Sequence, residues 1–197
     1  MIVIGITGML GAGKGTVVEY LETKGFKHYS ASDFIVREIK KRGMPVDRDS
    51  MNVVGDDLRA IHGSGYVIES LYKEASASHG DAIIESIHTT GEVDALKGLP
   101  GFYLLAVDAD PKVRYEHIRS RAGVKDNVSF EKFIADEERE IHSTDPGKHN
   151  LAGCVELADY KLANDGSVEE LHAQVNQVLA EIHKKQATQN KLDGQQA

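Results

Sequence analysis

Short runs of branched aliphatic residues alternate along the chain with longer stretches whose apolar residues recur at helical spacing. Such a run is typical of a strand buried on both faces of a parallel sheet. The stretch GTVVEYLETKG at residues 15–25 has the apolar spacing of an amphipathic helix and ends on glycine, a common helix terminator. This alternation predicts an α/β fold, a five-stranded parallel sheet flanked by helices. The predicted strands are IVIGI at 2–6, FKHYSAS at 26–32, DAIIESI at 81–87, GFYLLAVDAD at 101–110 and DYKLAND at 159–165.

The same pattern predicts one domain over residues 1–185, followed by a polar C-terminal tail over residues 186–197 that we expect to be frayed. A chain of 197 residues is long enough for one sizeable core, and no linker or internal repeat divides it. Helical stretches at residues 34–78 and 122–150 interrupt the alternation. We expect these two insertions to cover a site on the sheet.

Composition and charge narrow the range of partners. The net charge is −8, whereas proteins that bind nucleic acid in general carry a basic surplus. The single cysteine, Cys154, permits no internal disulfide, as in a reducing intracellular compartment. No basic leader precedes the first apolar run, and no stretch approaches the ~20 apolar residues of a membrane span. We therefore expect a cytoplasmic protein, monomeric or homodimeric, with no membrane and no general nucleic-acid binding.

A glycine-rich loop carries the strongest chemical signal. GMLGAGKG at residues 8–15 has glycine at its first and sixth positions and lysine at its seventh, between a predicted strand and a predicted helix. Glycine permits positive φ and close approach to a ligand, and successive N–H groups then form an anion site at the positive end of the helix. The loop therefore predicts a cradle for a di- or triphosphate. Its expected binding residues are Gly8, Leu10, Gly11, Ala12, Gly13, Lys14, Gly15 and Thr16.

Two other interpretations of the loop are weaker. A dinucleotide-binding loop has the spacing G-x-G-x-x-G, and its third glycine would have to replace Thr16. A glycine-rich turn without a ligand leaves the lysine, the strand and the helix in register without explanation. The phosphate cradle explains all of these features.

GMLGAGKGT resembles the loop of adenylate kinases and related nucleoside monophosphate kinases, in which glycine follows the lysine and threonine comes next. The resemblance implies the P-loop NTPase fold and phosphoryl transfer that uses ATP and Mg²⁺. In P-loop proteins with serine or threonine directly after the lysine, that hydroxyl binds the metal. Here Thr16 supplies the nearest hydroxyl, so we expect the metal to be held through water.

The acceptor side also resembles these kinases. YSASDFIVREIKKRG at residues 29–43 is similar to the segment in which an Asp begins a helix and an Arg one turn later meets the acceptor phosphate, which gives those positions to Asp33 and Arg37. AIIESIHTTGEVDAL at residues 82–96 resembles the third-strand segment, with Glu85 where Asp is usual. The expected acceptor-binding residues are Arg37, Arg59, Glu85 and His88, and the expected metal-binding residues are Thr16, Asp33 and Glu85.

Several of these residues have a second interpretation. Asp33 is a general base for an acceptor hydroxyl or a helix N-cap. Glu85 holds magnesium-bound water or pairs with a basic side chain. Arg119 and Arg121, in RSRAG, resemble the arginines at the base of a kinase lid, although a surface arginine on a solvated helix face is the commoner case. The expected catalytic residues are Lys14, Asp33, Arg119 and Arg121.

The sequence therefore predicts a kinase that transfers the γ-phosphate of ATP to a nucleotide-like acceptor, a nucleoside or deoxynucleoside monophosphate. Residues 34–78 form the acceptor-binding insertion and residues 122–150 a lid-like insertion. ADYKLANDGSVEELHAQV at residues 158–175 resembles the C-terminal strand and helix of dephospho-CoA kinases and of archaeal kinase-like relatives, which keeps a dephospho-CoA kinase as an alternative. A P-loop ATPase that acts as a switch coupled to a partner protein is the other alternative.

Overall fold

The computed structural model describes residues 1–120, 129–141 and 148–193. Within these residues, five strands form one sheet in the order β2-β3-β1-β4-β5, and every neighbouring pair is parallel. The predicted α/β fold is confirmed. The strands are β1 (Val3–Gly8), β2 (Lys27–Ser30), β3 (Ala82–Glu85), β4 (Phe102–Asp108) and β5 (Tyr160–Ala163).

Helices connect the strands and cover both faces of the sheet. In the described part of the chain they are α1 (Lys14–Thr23), α2 (Ala31–Lys41), α3 (Arg48–His62), α4 (Tyr66–Ala77), α5 (Thr90–Leu96), α6 (Pro111–Ser120), α7 (Phe130–Ile141), α8 (Leu151–Leu157) and α9 (Val168–Asp193). None of these helices is long and apolar enough to cross a membrane.

The C-terminal helix is longer than the sequence pattern indicates. Helix α9 has 26 residues and continues to Asp193, so residues 186–193 are helical rather than frayed. This stretch contains neither glycine nor proline before Gly194, and its lysine, glutamine and alanine residues are good helix formers.

The core has two halves, one on each face of the sheet, because successive strand residues point to opposite faces. Ile4 and Ile6 of β1 pack on one face together with apolar residues of α1 and α9. Val3 and Ile84 pack on the other face with apolar residues of α2, α3, α4 and α5. The first inserted stretch therefore belongs to the second half of the core.

The strand order places a crevice at the end of β1. The chain goes from β1 to β2 and β3 on one side of the sheet and then to β4 and β5 on the other. In open α/β sheets, ligands bind outside the carboxyl ends of the strands where this reversal occurs. The loop that follows Gly8 and the segment that follows Glu85 both lie at this edge.

Candidate functional site

The glycine-rich loop, residues 9–13, connects the carboxyl end of β1 to α1 and is called the P-loop below. Gly13 is the N-cap of α1 and has no side chain, so no side-chain cap bonds the first N–H groups of the helix. The first N–H groups of a helix have no partner within it, and together with the helix dipole they attract anions. The Nζ of Lys14 donates to Gly8 O at 2.7 Å and to Met9 O at 2.9 Å. The cation is thus held beside the loop that is expected to bind phosphate.

Two glycines of the P-loop are required by their surroundings, whereas Gly15, in the first turn of α1, is not. Gly11 and Gly13 have φ of 79° and 98°, the left-handed region that disfavours a side chain. A Cβ on Gly11 would lie 2.5 Å from Arg114 O, and a Cβ on Gly13 would lie 2.2 Å from Asn164 Nδ2. A Cβ on Gly15, the first glycine inside α1, would meet nothing within 4 Å. Packing therefore explains the glycines before the lysine and not the one after it.

This difference gives a matched pair of substitutions. Gly13→Ala is expected to lower the free energy of unfolding by about 1–2 kcal/mol from the left-handed backbone alone, with a further loss from the contact with Asn164. Gly15→Ala is expected to leave it unchanged or to raise it slightly, because alanine favours helix. Urea denaturation of the two variants measures both values, and equal losses would contradict the described packing.

A pocket of about 450 Å³ lies between the first inserted helices, the segment that follows β3 and the segment that precedes α8. Its wall combines apolar, polar and charged side chains. The lining residues are Ala31, Ser32, Ile35, Met51, Asn52, Asp56, Arg59, Val67, Ser86, His88, Glu92, Lys148 and His149. Ser86, directly after β3, has a φ of 71°, which is uncommon for a residue with a side chain.

The structure brings together Arg59 and His88, two of the expected acceptor-binding residues. Both line the pocket, where the Arg59 Nη1 also donates to Asp56 Oδ1 at 3.0 Å. The His88 ring meets the His149 ring edge to face, with 5.2 Å between the ring centroids. The acceptor-binding roles of Arg59 and His88 stay predictions, but their placement agrees with them.

The other expected acceptor residues lie outside this pocket lining. The Arg37 Nη2 donates to both carboxylate oxygens of Glu74, at 2.9 and 3.0 Å, and joins α2 to α4. The Glu85 carboxylate lies 2.9 Å from His28 Nε2, the pairing with a basic side chain that was its second interpretation. The roles of Arg37 and Glu85 at the acceptor therefore stay predictions without support from their contacts.

Asp33 is exposed and lies outside the pocket lining. Helix α2 begins at Ala31, and its N-cap is Ser30, whose hydroxyl accepts from Asp33 N at 3.3 Å. The interpretation of Asp33 as the N-cap is therefore wrong, because the N-cap lies three residues earlier than expected. Its roles as a general base and as a metal ligand stay predictions.

The described residues include one of the two arginines at the base of the second insertion. Arg119 lies in the last turn of α6, where its Nη1 is 3.5 Å from Glu116 Oε1 and its guanidinium lies over the Tyr115 ring. Arg121 lies outside the described residues. The catalytic roles of both arginines stay predictions.

The charge of Lys14 connects the P-loop with the pocket. Burial, together with the positive charges of His149, Lys14 and Arg59, lowers the pKa of His88 to about 4, and burial is the largest cause. His88 is therefore neutral at neutral pH. The P-loop and the segment that carries His88 follow the neighbouring parallel strands β1 and β3, where the Thr7 hydroxyl donates to Ile87 O at 2.8 Å.

The pKa of His88 predicts a pH dependence of stability. Its value of about 4 in the folded protein lies below the ordinary 6.5, so the unfolded chain binds more protons between these two pH values. As pH falls through this range, His88 is expected to cost up to about 3 kcal/mol of the free energy of unfolding. His88→Gln should make the unfolding free energy less dependent on pH between 4 and 6.5 in urea denaturation. An unchanged dependence would contradict the buried, neutral imidazole.

Glu92 is a site residue that the sequence analysis missed. Its Oε2 accepts from His88 N at 2.9 Å and from Thr89 N at 3.1 Å, and the Thr89 hydroxyl accepts from Glu92 N. This is a capping box at the start of α5, and its threonine-x-x-glutamate signature at residues 89–92 was available in the sequence. Burial raises the pKa of Glu92, while the N–H groups of His88 and Thr89 oppose that shift. Glu92 thus fixes the backbone of the segment that carries His88.

The sequence analysis also missed Lys148 and His149 as pocket residues, and no local sequence pattern indicates them. They line the pocket because the chain just after them bonds the segment that follows β3, where Asn150 N donates to His88 O at 2.9 Å. Asn150 is also the N-cap of α8, which packs beside α5. The contact joins residues that are about 60 positions apart, which local sequence patterns do not reveal.

Among the described residues, no three or more His, Cys, Asp or Glu side chains group to hold an ion. Thr16 lies in the first turn of α1 and is partly buried, and its role as a metal ligand stays a prediction. Asp33 and Glu85 stay predictions as metal ligands.

The site consists of strand β1, the P-loop, Lys14 and helix α1, and it lies where the strand order of the parallel sheet reverses. This arrangement defines a P-loop nucleotide-binding protein. The model of the AAA domain family matches residues 7–132. This range includes the P-loop and the two arginines of the first insertion, Arg37 and Arg59. This match and the fold confirm the predicted P-loop kinase-like class.

The chain belongs to the UPF0200 family. It is 30% identical over 187 residues to the UPF0200 protein of Methanothermobacter thermautotrophicus, a match that covers 94% of this chain and 93% of that protein. The resemblance to archaeal relatives that the sequence indicated is thereby confirmed.

Solved structures show the same fold. The crystal structure of TT1252 from Thermus thermophilus is similar with a TM-score of 0.62 and 24% identity, covering 91% of this chain and 97% of that one. Dephospho-CoA kinase from Campylobacter jejuni is similar with a TM-score of 0.58 and 15% identity, covering 93% of this chain and 98% of that one. At these identities the likeness shows the fold alone.

Proposed function

We propose that this protein is an ATP-dependent phosphotransferase that transfers the γ-phosphate of ATP to a nucleoside or deoxynucleoside monophosphate. One observation carries the proposal. The P-loop follows β1, and the segment with His88, which lines the pocket, follows the neighbouring parallel strand β3, where the Thr7 hydroxyl donates to Ile87 O at 2.8 Å. A donor cradle and an acceptor pocket at the ends of two neighbouring strands suit transfer between two phosphate-bearing molecules.

The donor side uses the P-loop. The backbone at Gly11 and Gly13 approaches the phosphates, the start of α1 contributes its positive dipole end, and Lys14 neutralises charge on the outer phosphates. Mg²⁺ would be held by the phosphates and by water near the Thr16 hydroxyl, and it supplies further charge neutralisation when bound. Arg119 and Arg121 would complete the charge neutralisation from the base of the second insertion.

The acceptor side uses the pocket of about 450 Å³, a volume in the range of small-molecule sites. Arg59 and Lys148 supply positive charge, which suits an anionic group. Apolar side chains of the same pocket, those of Ile35 and Met51 among them, offer a surface for a base or sugar. The pocket thus has the two kinds of wall that a nucleotide needs.

The carboxylates favour a phosphate acceptor over a hydroxyl acceptor. A hydroxyl needs a general base within hydrogen-bond reach, whereas a phosphate oxygen is already ionised at neutral pH. In the pocket, Asp56 is bonded to Arg59, and Glu92 is bonded to backbone N–H groups. Asp33, the expected base, lies outside the lining. A monophosphate therefore suits the site better than dephospho-CoA, whose acceptor is an alcohol.

A coupled assay of ADP release tests this function with ATP, Mg²⁺ and a panel of nucleoside and deoxynucleoside monophosphates plus dephospho-CoA. We expect one monophosphate to raise the rate of ADP release at least about 10-fold above the rate with ATP alone. Stimulation by dephospho-CoA alone would replace the proposed acceptor class. Slow release that every acceptor leaves unchanged would contradict the kinase and favour the ATPase switch.

A further inference from the structure

The carbonyl oxygens of the P-loop and of the strand end before it are bonded at every position. Over residues 8–12, each of the five backbone oxygens accepts a side-chain donor. Lys14 takes the first two. The remaining three are taken by Arg114, His117 and Asn164, which come from two different parts of the chain. No part of the function described so far uses these three side chains.

Arg114 is the most deeply buried of the three, with 4% of its surface exposed. Its Nη1 lies 3.4 Å from Leu10 O, and its Nε donates to Ala109 O at 2.9 Å. The guanidinium also forms a two-pronged ion pair with Glu137 of α7, and its Nη2 lies 2.9 Å from Glu137 Oε2. This pair joins the P-loop to a helix of the second inserted stretch and fixes the orientation of the guanidinium.

His117 lies one helical turn beyond Arg114 on α6. Its Nδ1 is 2.9 Å from Gly11 O, and a carbonyl oxygen only accepts, so Nδ1 carries the proton. Asn164, at the carboxyl end of β5, donates from Nδ2 to Ala12 O at 3.0 Å. Asn164 is buried, and its own N–H donates to Asp108 O at 2.8 Å, which anchors it to β4.

We propose that Arg114, His117 and Asn164 are positioning residues that set the orientation of the P-loop peptides for binding the donor phosphates. In a trans peptide, the C=O and the following N–H point in opposite directions. When a side chain holds Ala12 O against the protein body, the N–H of Gly13 is turned away from that body. The bond from His117 to Gly11 O fixes the peptide between Gly11 and Ala12 in the same way. The N–H of that peptide, on Ala12, donates to Met9 O at 3.2 Å and closes a turn of the loop. The inference rests on the proposed use of the P-loop as the donor site.

His117 offers the cleanest test because an asparagine amide nitrogen can occupy the position of the imidazole Nδ1. We expect His117→Ala to weaken ATP binding about 10-fold, the effect of losing one well-placed hydrogen bond. His117→Asn should restore affinity to within about 3-fold of the original protein. The KM for the acceptor should not change in either variant, because neither contacts the pocket. Calorimetric titration with Mg·ATP, without an acceptor, measures the affinities, and steady-state kinetics measures the KM values.

His183→Ala, which removes an exposed histidine of α9, is the matched control and should bind ATP as the original protein does. Asn164→Ala is a second variant, expected to weaken ATP binding with the acceptor KM unchanged. ATP binding by His117→Ala that equals the original, or a loss that His117→Asn shares in full, would overturn the proposal. The titration needs no acceptor, so it tests the positioning residues whether or not the protein is a kinase. A protein that binds ATP but phosphorylates no acceptor would contradict the proposed function alone.

Discussion

Lys14→Ala is expected to lower the rate of phosphoryl transfer by about 10³-fold or more, the largest functional effect of any single substitution considered for this chain. The ammonium neutralises charge on the transferring phosphate, and the carbonyl oxygens of Gly8 and Met9 hold it beside the P-loop. Steady-state kinetics with saturating ATP and acceptor measures the loss.

The control for this variant is Lys24→Ala. Lys24 is the C-cap of α1, at the opposite end of the helix, with its ammonium over the Tyr20 ring. Its removal should leave the rate within about 2-fold of the original, since surface cations contribute little. A rate in Lys14→Ala close to that of Lys24→Ala would contradict the assignment of the donor cradle.

The same variant tests the connection between the P-loop and the pocket. Because the charge of Lys14 lowers the pKa of His88, its removal should raise that pKa. An NMR titration of the imidazole in the two proteins measures the direction. A pKa that stays the same would show that the Lys14 charge does not reach the pocket, which would contradict the proposed neighbourhood of donor and acceptor.

Arg59→Ala is expected to raise the KM for the acceptor about 10- to 100-fold, with a smaller effect on the KM for ATP. Arg59 lines the pocket, and its contact with Asp56 is an exposed pair that an acceptor phosphate can replace. The acceptor KM, measured at saturating ATP, reports the loss of this cation.

Arg37→Ala is the matched control, since both arginines lie on helices of the first insertion. Arg37 is engaged by Glu74 outside the pocket lining, so its removal should change the acceptor KM by less than about 3-fold. The sequence assigned the acceptor to both arginines. An acceptor KM that rises in Arg37→Ala and stays constant in Arg59→Ala would show that the acceptor binds elsewhere.

The P-loop could be predicted because its chemistry is local. Glycines, lysine, strand and helix follow one another over about a dozen residues, and the fold then follows from alternating strands and helices. Packing adds a distinction that the sequence does not contain. The glycines at 11 and 13 are required by Arg114 and Asn164, while the space around Gly15 is open. The departure from the usual serine or threonine at Gly15 is therefore not explained by steric crowding.

The pocket could be predicted only in part because its residues meet through tertiary contacts. Arg37 and Arg59 have similar sequence contexts, and only the packing of α2 against α4 turns Arg37 toward Glu74. His149 reaches the pocket through the bond between Asn150 N and His88 O. Such pairings depend on how helices pack on the sheet, which hydrophobic periodicity does not specify.

The fate of a radiolabelled γ-phosphate tests the central claim most directly. Purified protein is incubated with Mg²⁺, ATP labelled at the γ-phosphate and the acceptor that most stimulates ADP release, and the products are separated by chromatography. The proposed function predicts that the label appears in the phosphorylated acceptor and that Lys14→Ala prevents this transfer. Label that appears only as inorganic phosphate, with the acceptor unlabelled, would contradict it.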